Sequence, residues 1–179
     1  MIDPAPLIDL MRSLHPETAP GAAAKAYARL GHVVFPVRGR DKRPLVRWGT
    51  QATDDRRVLD GWWSQWPDAM IGLPTGERNG VLVLDVDCRR GGCGLTALRG
   101  LGFDPVASTP LCVQTPSEGF HFYFRYDHPL RNSSGVIAPN VDVRGDGGFV
   151  VVPPSRPERS RSPYRVVPRV DSPALAATA

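Results

Sequence analysis

An α+β fold is what the 179-residue sequence predicts, and three observations carry that reading. Helix-like and strand-like stretches follow one another without strict βαβ alternation, which disfavours a doubly wound parallel sheet. Several strand-like stretches place polar, reactive residues at alternate positions opposite an apolar face. Hydrophobic residues make up 41% of the chain, ordinary for a globular domain of this length with a core of its own.

Residues 1–20 read as an N-terminal extension. Residues 17–30 are alanine-rich, with Ala23, Tyr27 and Leu30 at helical spacing and Gly31 as the stop, so a helix is expected. Residues 32–37 are apolar and β-branched, a first strand. Residues 39–49 form a basic loop with Lys42, Arg43 and Arg47. Thr53, Asp54 and Asp55 supply an N-cap for a helix running to Trp66, with Val58, Leu59, Trp62, Trp63 and Trp66 on its apolar face and Pro67 at its end. Residues 70–73 and 81–87 are strands, and Gly91-Gly92 opens a short helix through Leu101. Further strands are expected at 111–115, 120–126, 140–144 and 148–152, with an edge strand at 164–167. Asp146-Gly147, between two of these, has the composition of a two-residue hairpin turn. Residues 169–179 read as a tail or the start of a linker to a C-terminal region.

The net charge is +4, and arginine supplies nearly all of the positive side, Lys25 and Lys42 being the only lysines. Arginine suits bidentate phosphate contacts and hence a nucleic-acid partner, although a GC-rich coding sequence produces the same excess. Cys88, Cys93 and Cys112 are three in number and irregularly spaced, and read as free thiols. No stretch approaches the ~18 apolar residues of a membrane-crossing helix. The N-terminus, with Asp3 and Asp9, lacks the basic-then-apolar order of a secretory signal. A cytoplasmic location without membrane partners is the expectation.

The chemistry concentrates in three strands. In Val81-Leu-Val-Leu-Asp-Val-Asp87, Asp85 and Asp87 share one face with Val81 and Val83. Two like charges side by side on a sheet are costly, and a divalent cation such as Mg²⁺ or Mn²⁺ removes that cost. In Phe120-His-Phe-Tyr-Phe-Arg-Tyr126, His121, Tyr123 and Arg125 share one face, with Phe120, Phe122, Phe124 and Tyr126 on the other. In Asn140-Val-Asp-Val-Arg144, Asp142 and Arg144 lie together with Val141 and Val143 behind. Such strands can form one sheet, polar on one side and dry on the other, whose polar side suits two metal ions and a triphosphate. The loop Thr115-Pro-Ser-Glu-Gly119 leads into the histidine strand. Its hydroxyls and its glycine permit close approach to a ligand.

In this order, the motifs resemble the bifunctional primase–polymerase domain of the archaeo-eukaryotic primase superfamily. Asp85-Val-Asp87 corresponds to the first motif, Thr115-Pro-Ser-Glu-Gly-Phe-His121 to the second, and Asp142 in Val-Asp-Val-Arg-Gly-Asp-Gly-Gly to the third. Lys42-Arg-Pro-Leu-Val-Arg-Trp48, Trp62-Trp63, Ile71-Gly-Leu-Pro-Thr-Gly76 and Val151-Val-Pro-Pro-Ser155 add matching context. The resemblance implies a catalytic domain over residues 21–168, with two αβ lobes, an RRM-like catalytic sheet and the active site in the cleft between them.

It also implies a DNA-dependent nucleotidyltransferase that makes or extends short RNA or DNA primers for a plasmid, phage or integrated element. Its partners would be a single-stranded DNA template, a primer and NTP or dNTP, with a helicase in the full-length protein or replisome. Asp85, Asp87 and Asp142 would hold two divalent ions, Mg²⁺ or Mn²⁺. Ser117 and His121 would hold the incoming triphosphate, with Thr115, Arg144 and Lys42 as further phosphate or sugar contacts. Glu118 stands where such domains often carry a small or basic residue, and is expected to turn outward. Two other readings remain: a non-catalytic initiator module that binds single-stranded DNA and nucleotide, and a sugar-nucleotide transferase using Asp85 and Asp87 for Mn²⁺. The second explains neither the Thr115–His121 motif nor the basic balance.

Overall fold

The computed structural model describes residues 5–89 and 92–167. The expected tail at 169–179 lies outside the described residues. Helix α1 (Ala5–Ser13) buries Leu7, Ile8 and Met11, so part of the segment set apart as an extension packs into the core. Helix α2 (Pro20–Arg29) starts on a proline, whose missing N–H is no loss in the first turn, and is followed by Gly31 at φ 81°. It buries Ala23, Ala24 and Tyr27, and the Tyr27 hydroxyl donates to the Pro153 carbonyl at 2.7 Å.

Strand β1 (Phe35–Val37) enters a tight turn in which Arg38 forms two hydrogen bonds to the Asp41 carboxylate and Lys42 adopts φ 59°. A short helix α3 (Trp48–Gln51), not anticipated from the sequence, follows; the Arg78 guanidinium donates to the carbonyls of Trp48, Gly49 and Ala52. Helix α4 (Arg56–Gln65) is capped as expected, the Asp55 carboxylate accepting from the Arg57 and Val58 amides. Its inner face is Leu59 and Trp63, whereas Val58 is 40% exposed. Strand β2 (Met70–Pro74) then runs antiparallel to β1.

Strand β3 (Val81–Val86) is the centre of the larger sheet. After it the chain reverses through β4 (Cys88–Arg89) and β5 (Gly92–Cys93), which sets Cys88 opposite Cys93. These two residues form a disulfide, not the free thiols expected; their spacing alone does not reveal the reversal that pairs them. Cys112 is free and buried, and burial pushes its thiol up to about 12. Helix α5 (Gly94–Gly100) starts after this reversal, three residues later than Gly91. A single-turn helix α6 (Pro105–Ser108), capped by Asp104, precedes β6 (Cys112–Gln114) and β7 (Phe120–Arg125). Strand β8 (Ser133–Ala138), which its mixed composition concealed, pairs with β9 (Val141–Arg144). Strands β10 (Phe149–Val151) and β11 (Arg165–Val166) are the last elements among the described residues.

The strands form two antiparallel sheets, ordered β1-β2-β10 and β11-β6-β7-β3-β9-β8, beside the small β4-β5 ladder. The predicted edge strand at 164–167 is thus present as β11. Asp146-Gly147 sits in a turn but not in a hairpin, because β9 and β10 belong to different sheets. The Thr75 amide and hydroxyl reach across to the Gly148 and Gly145 carbonyls, which ties this crossover to the end of β2.

Two apolar clusters flank the six-stranded sheet. One face packs Leu84, Val86, Phe120, Phe122, Val141 and Val143 against Leu95 and Leu98 of α5. The other face places Val81, Val83, Val113 and Tyr123 against the smaller sheet and helices α1, α2 and α4. The face predicted to be polar is therefore polar only at one end, and Val81 and Val83, expected in line with Asp85, belong to the core. Tyr123, expected beside His121 on that polar side, is 5% exposed and belongs to the core.

Candidate active site

Strand β3 lies between β7 and β9, and the register decides which side chains meet. Asp85 is opposite His121 on one side and Asp142 on the other, while Val83 is opposite Tyr123 and Arg144. Directly opposed residues of antiparallel strands project to the same face, so Asp85, His121, Asp142 and Arg144 share one surface. His121 Nε2 is 3.5 Å from Asp85 Oδ1, and Arg144 Nη2 is 3.1 Å from Asp85 Oδ2 and 2.9 Å from Asp142 Oδ2. The other oxygen of Asp142 accepts from Ser134 Oγ and the Gly135 amide, at 2.7 and 3.1 Å.

These contacts set the charge of Asp85. Burial works to raise its pKa, but His121 and Arg144 outweigh burial and hold the carboxyl well below the ordinary carboxylate range. It is an anion at neutral pH. Beside it, the Nδ1 atom of His121 is buried and has no hydrogen-bond partner among the described residues.

A cavity of about 380 Å³ opens over this surface. Lys42, Asp85, Asp87, Thr115, Ser117, His121 and Arg144 line it. Seven of the eight sequence-predicted site residues thus come together; Asp142 shares their face but is turned toward Ser134 and Gly135. Arg125, predicted on the same face, lies two residues beyond Tyr123 and pairs with Asp127 at 2.8 Å on the surface.

The loop into β7 is drawn closed by hydrogen bonds. The Thr115 amide donates to the Gly119 carbonyl, and the Gly119 amide donates back to Thr115 Oγ1, which lies 3.2 Å from Ser117 Oγ. Thr115 is buried and shapes the loop, while Ser117 is exposed on the cavity wall. A Cβ at Gly119 would come within 2.7 Å of the Val86 carbonyl oxygen, so only glycine lets the loop pass this close to β3. Glu118 is exposed, at φ 65°, as the outward orientation requires.

Sequence reasoning missed part of the lining. Phe149, Val150 and Val151 of β10, Gly147, Gly148, Asn132 and Tyr164 also face the cavity. Asn132 accepts from the Gly145 amide and donates to the Gly147 carbonyl, and so holds the crossover after Arg144. Trp48 stacks on Phe35 at 5.6 Å between centroids and meets Phe149 edge-on at 5.4 Å, forming an aromatic wall. Gly147 and Gly148 stand in the third motif itself and the β10 residues directly after it, whereas Asn132 and Tyr164 carried no usable signal.

Among the described residues, no group of three or more His, Cys, Asp or Glu stands ready to hold a metal ion. The donor chemistry nevertheless fits a hard cation: Asp85 is ionised, its cross-strand neighbour Asp142 is a second carboxyl group, and Arg144 bridges the two as counter-charge.

Antiparallel sheets joined over a cavity that mixes carboxylates with Lys, Arg and His define an α+β domain suited to handling phosphates. The chain belongs to a particular family of such domains, the bifunctional DNA primase/polymerase N-terminal family, whose model matches residues 24–179. No curated protein matches the chain. Membership gives a primase/polymerase-type function in general terms, with DNA and nucleotides as substrates. Among the described residues, no helix is long and apolar enough to cross a membrane.

Proposed function

We propose that the chain is a DNA-dependent primase–polymerase domain that makes or extends short RNA or DNA primers on a single-stranded template, in the replication of a plasmid, phage or integrated element. The observation that carries this reading is the position of Asp85, flanked across the sheet by His121 and Asp142 on the floor of a cavity also lined by Lys42, Ser117 and Arg144. In this reading the larger sheet is the RRM-like catalytic sheet, the smaller sheet belongs to a second lobe, and the cavity is the cleft between them.

The incoming NTP or dNTP lies with its triphosphate toward His121, Ser117 and Lys42. The primer 3′-hydroxyl oxygen attacks the α-phosphorus in line. A new ester bond forms, the bond to pyrophosphate breaks, and the hydroxyl proton passes to solvent. No side chain acts as nucleophile. Asp85, Asp87 and Asp142 would hold Mg²⁺ or Mn²⁺, which supplies a lowered pKa at the attacking hydroxyl and charge neutralisation on the leaving pyrophosphate. Arg144 is the resting counter-ion of Asp85 and Asp142 and would be free to bind the triphosphate if a cation took over that role. Lys42 adds charge, and Thr115 keeps the Ser117 hydroxyl in place. The basic turn with Arg43 and Arg47, next to Trp48, suits a single-stranded template through phosphate contacts and base stacking. A helicase in the full-length protein or replisome would supply that template, in the cytoplasm.

Steady-state kinetics of primer extension test these roles. Asp85→Ala lowers turnover by about 100-fold or more. His121→Ala mainly raises the KM for nucleotide. An Asp85→Ala variant that still extends primers removes the basis of the assignment. A second reading, a non-catalytic module for single-stranded DNA and nucleotide, is favoured by one observation: Arg144 already pairs with both Asp85 and Asp142. Binding of both ligands without metal-dependent incorporation would establish it.

A further inference from the structure

We propose that Tyr164 is a positioning residue for nucleotide binding, its ring fixing His121 and Lys42 against the triphosphate side of the cavity. This rests on the reading of that cavity as a nucleotide site. Tyr164 is only 3% exposed, yet it lines the cavity. Its ring centroid lies 5.6 Å from that of His121, at 38° between planes, and Lys42 Nζ lies 5.7 Å from the same centroid. One aromatic side chain thus touches both predicted phosphate contacts, which come from a turn and a strand far apart in sequence.

Each contact restrains a side chain that lines the cavity. A histidine ring is usually oriented by the hydrogen bond of its second nitrogen. His121 Nε2 faces Asp85 at 3.5 Å, but Nδ1 has no such partner among the described residues, so the rest of the ring is packed by Tyr164 and, at 6.4 Å, Tyr123. Lys42 sits on an exposed turn, where a flexible four-carbon stem samples many rotamers. An aromatic face restrains an ammonium without neutralising it, whereas a carboxylate would compete with phosphate.

Tyr164 is itself anchored. Its amide donates to the Ser155 carbonyl at 2.8 Å, and the next residue, Arg165, opens the ladder to β6 and donates two hydrogen bonds to Gln114 Oε1. Burial raises the pKa of its hydroxyl, against the charge of Lys42 and a side-chain hydrogen bond with it, so Lys42 meets the hydroxyl as well as the ring and the phenol keeps its proton at neutral pH.

The test is nucleotide affinity, read with a fluorescent ATP analogue and Mg²⁺ and competed by unlabelled NTP and dNTP, beside primer-extension kinetics on the same proteins. Tyr164→Leu should weaken binding roughly tenfold, and Tyr164→Phe, which keeps the ring but loses the hydroxyl's hydrogen bond with Lys42, by about threefold. KM should follow affinity while kcat stays near the wild-type value. In a Lys42→Met/His121→Ala background, Tyr164→Leu should cost nothing further. Unchanged affinity in Tyr164→Leu, an equal loss in Tyr164→Phe, or an undiminished loss in the double background would each overturn the proposal. Should Tyr164→Leu fail to fold, NMR of the wild-type chain decides: an upfield ring-current shift of the Lys42 ε-methylene protons supports it, and a random-coil shift overturns it. Nucleotide binding without extension by the wild-type chain would count against the polymerase reading alone; no nucleotide binding would overturn both.

Discussion

Asp85 concentrates the electrostatics of this domain in one carboxylate. Because His121 and Arg144 depress its pKa below the ordinary 3.8, its charged form contributes stability above that pH, and the contribution is lost as pH falls below it. Urea midpoints between pH 6 and pH 3 should therefore drop more steeply below about pH 4 in the wild type than in Asp85→Asn; parallel curves would contradict the ion-pair account. A second residue-scale prediction concerns the buried Tyr27 hydroxyl on the Pro153 carbonyl. Tyr27→Phe leaves that carbonyl without its partner and should cost about 1 kcal/mol in chemical denaturation. At this scale the sequence was informative where chemistry is written in residue type. Asp85, Asp87, Ser117, His121, Arg144 and Lys42 were all named from it and all reach the cavity. Tyr164 and Asn132 were not, because an isolated tyrosine or asparagine carries no pattern, and their roles arise from chain crossings.

The elements most legible in the sequence were those with a local cause. Helix α4 shows both of its signals, the Asp55 cap and the Leu59/Trp63 face. Asp55→Ala should destabilise by about 1 kcal/mol and Asp55→Asn by much less, measured by thermal melts, since Asn caps nearly as well. Strands β3, β7 and β9 were recognised by alternation, and their adjacency follows from the polar ends they share. The β7 aromatics hold the sheet to α5: Phe122 is fully buried, and Phe122→Ala should cost about 3–5 kcal/mol by urea denaturation. Elements defined by non-local pairing were not legible. Strand β8 (Ser-Ser-Gly-Val-Ile-Ala) keeps Val136 and Ile137 exposed, so no inward face marks it. The β4–β5 reversal and its disulfide depend on a fold-back that a five-residue spacing does not announce. Asp146-Gly147 has hairpin composition, yet local turn chemistry does not say which sheet the next strand joins.

For the whole molecule, the two-sheet arrangement explains why a face expected to be polar is polar only at one end. The inner half of the β3–β7 surface packs against the smaller sheet, and the outer half, beyond Val83 and Tyr123, opens onto the cavity. The β9–β10 crossover carries the chain from one sheet to the other directly after Arg144, so the cavity draws its wall from both. This is how a modest domain sets a rigid apolar support behind a charged surface. The central claim, that this surface performs template-directed nucleotidyl transfer, is tested most directly by extension of a labelled primer on a single-stranded template. Mg²⁺ or Mn²⁺ and NTPs or dNTPs are supplied, and the wild type is compared with Asp85→Ala/Asp87→Ala. The account predicts template-dependent products in the wild type and none in the variant, with nucleotide-independent DNA binding retained. Equal extension by the variant, or no product from a wild-type chain that binds both nucleotide and template, would contradict it.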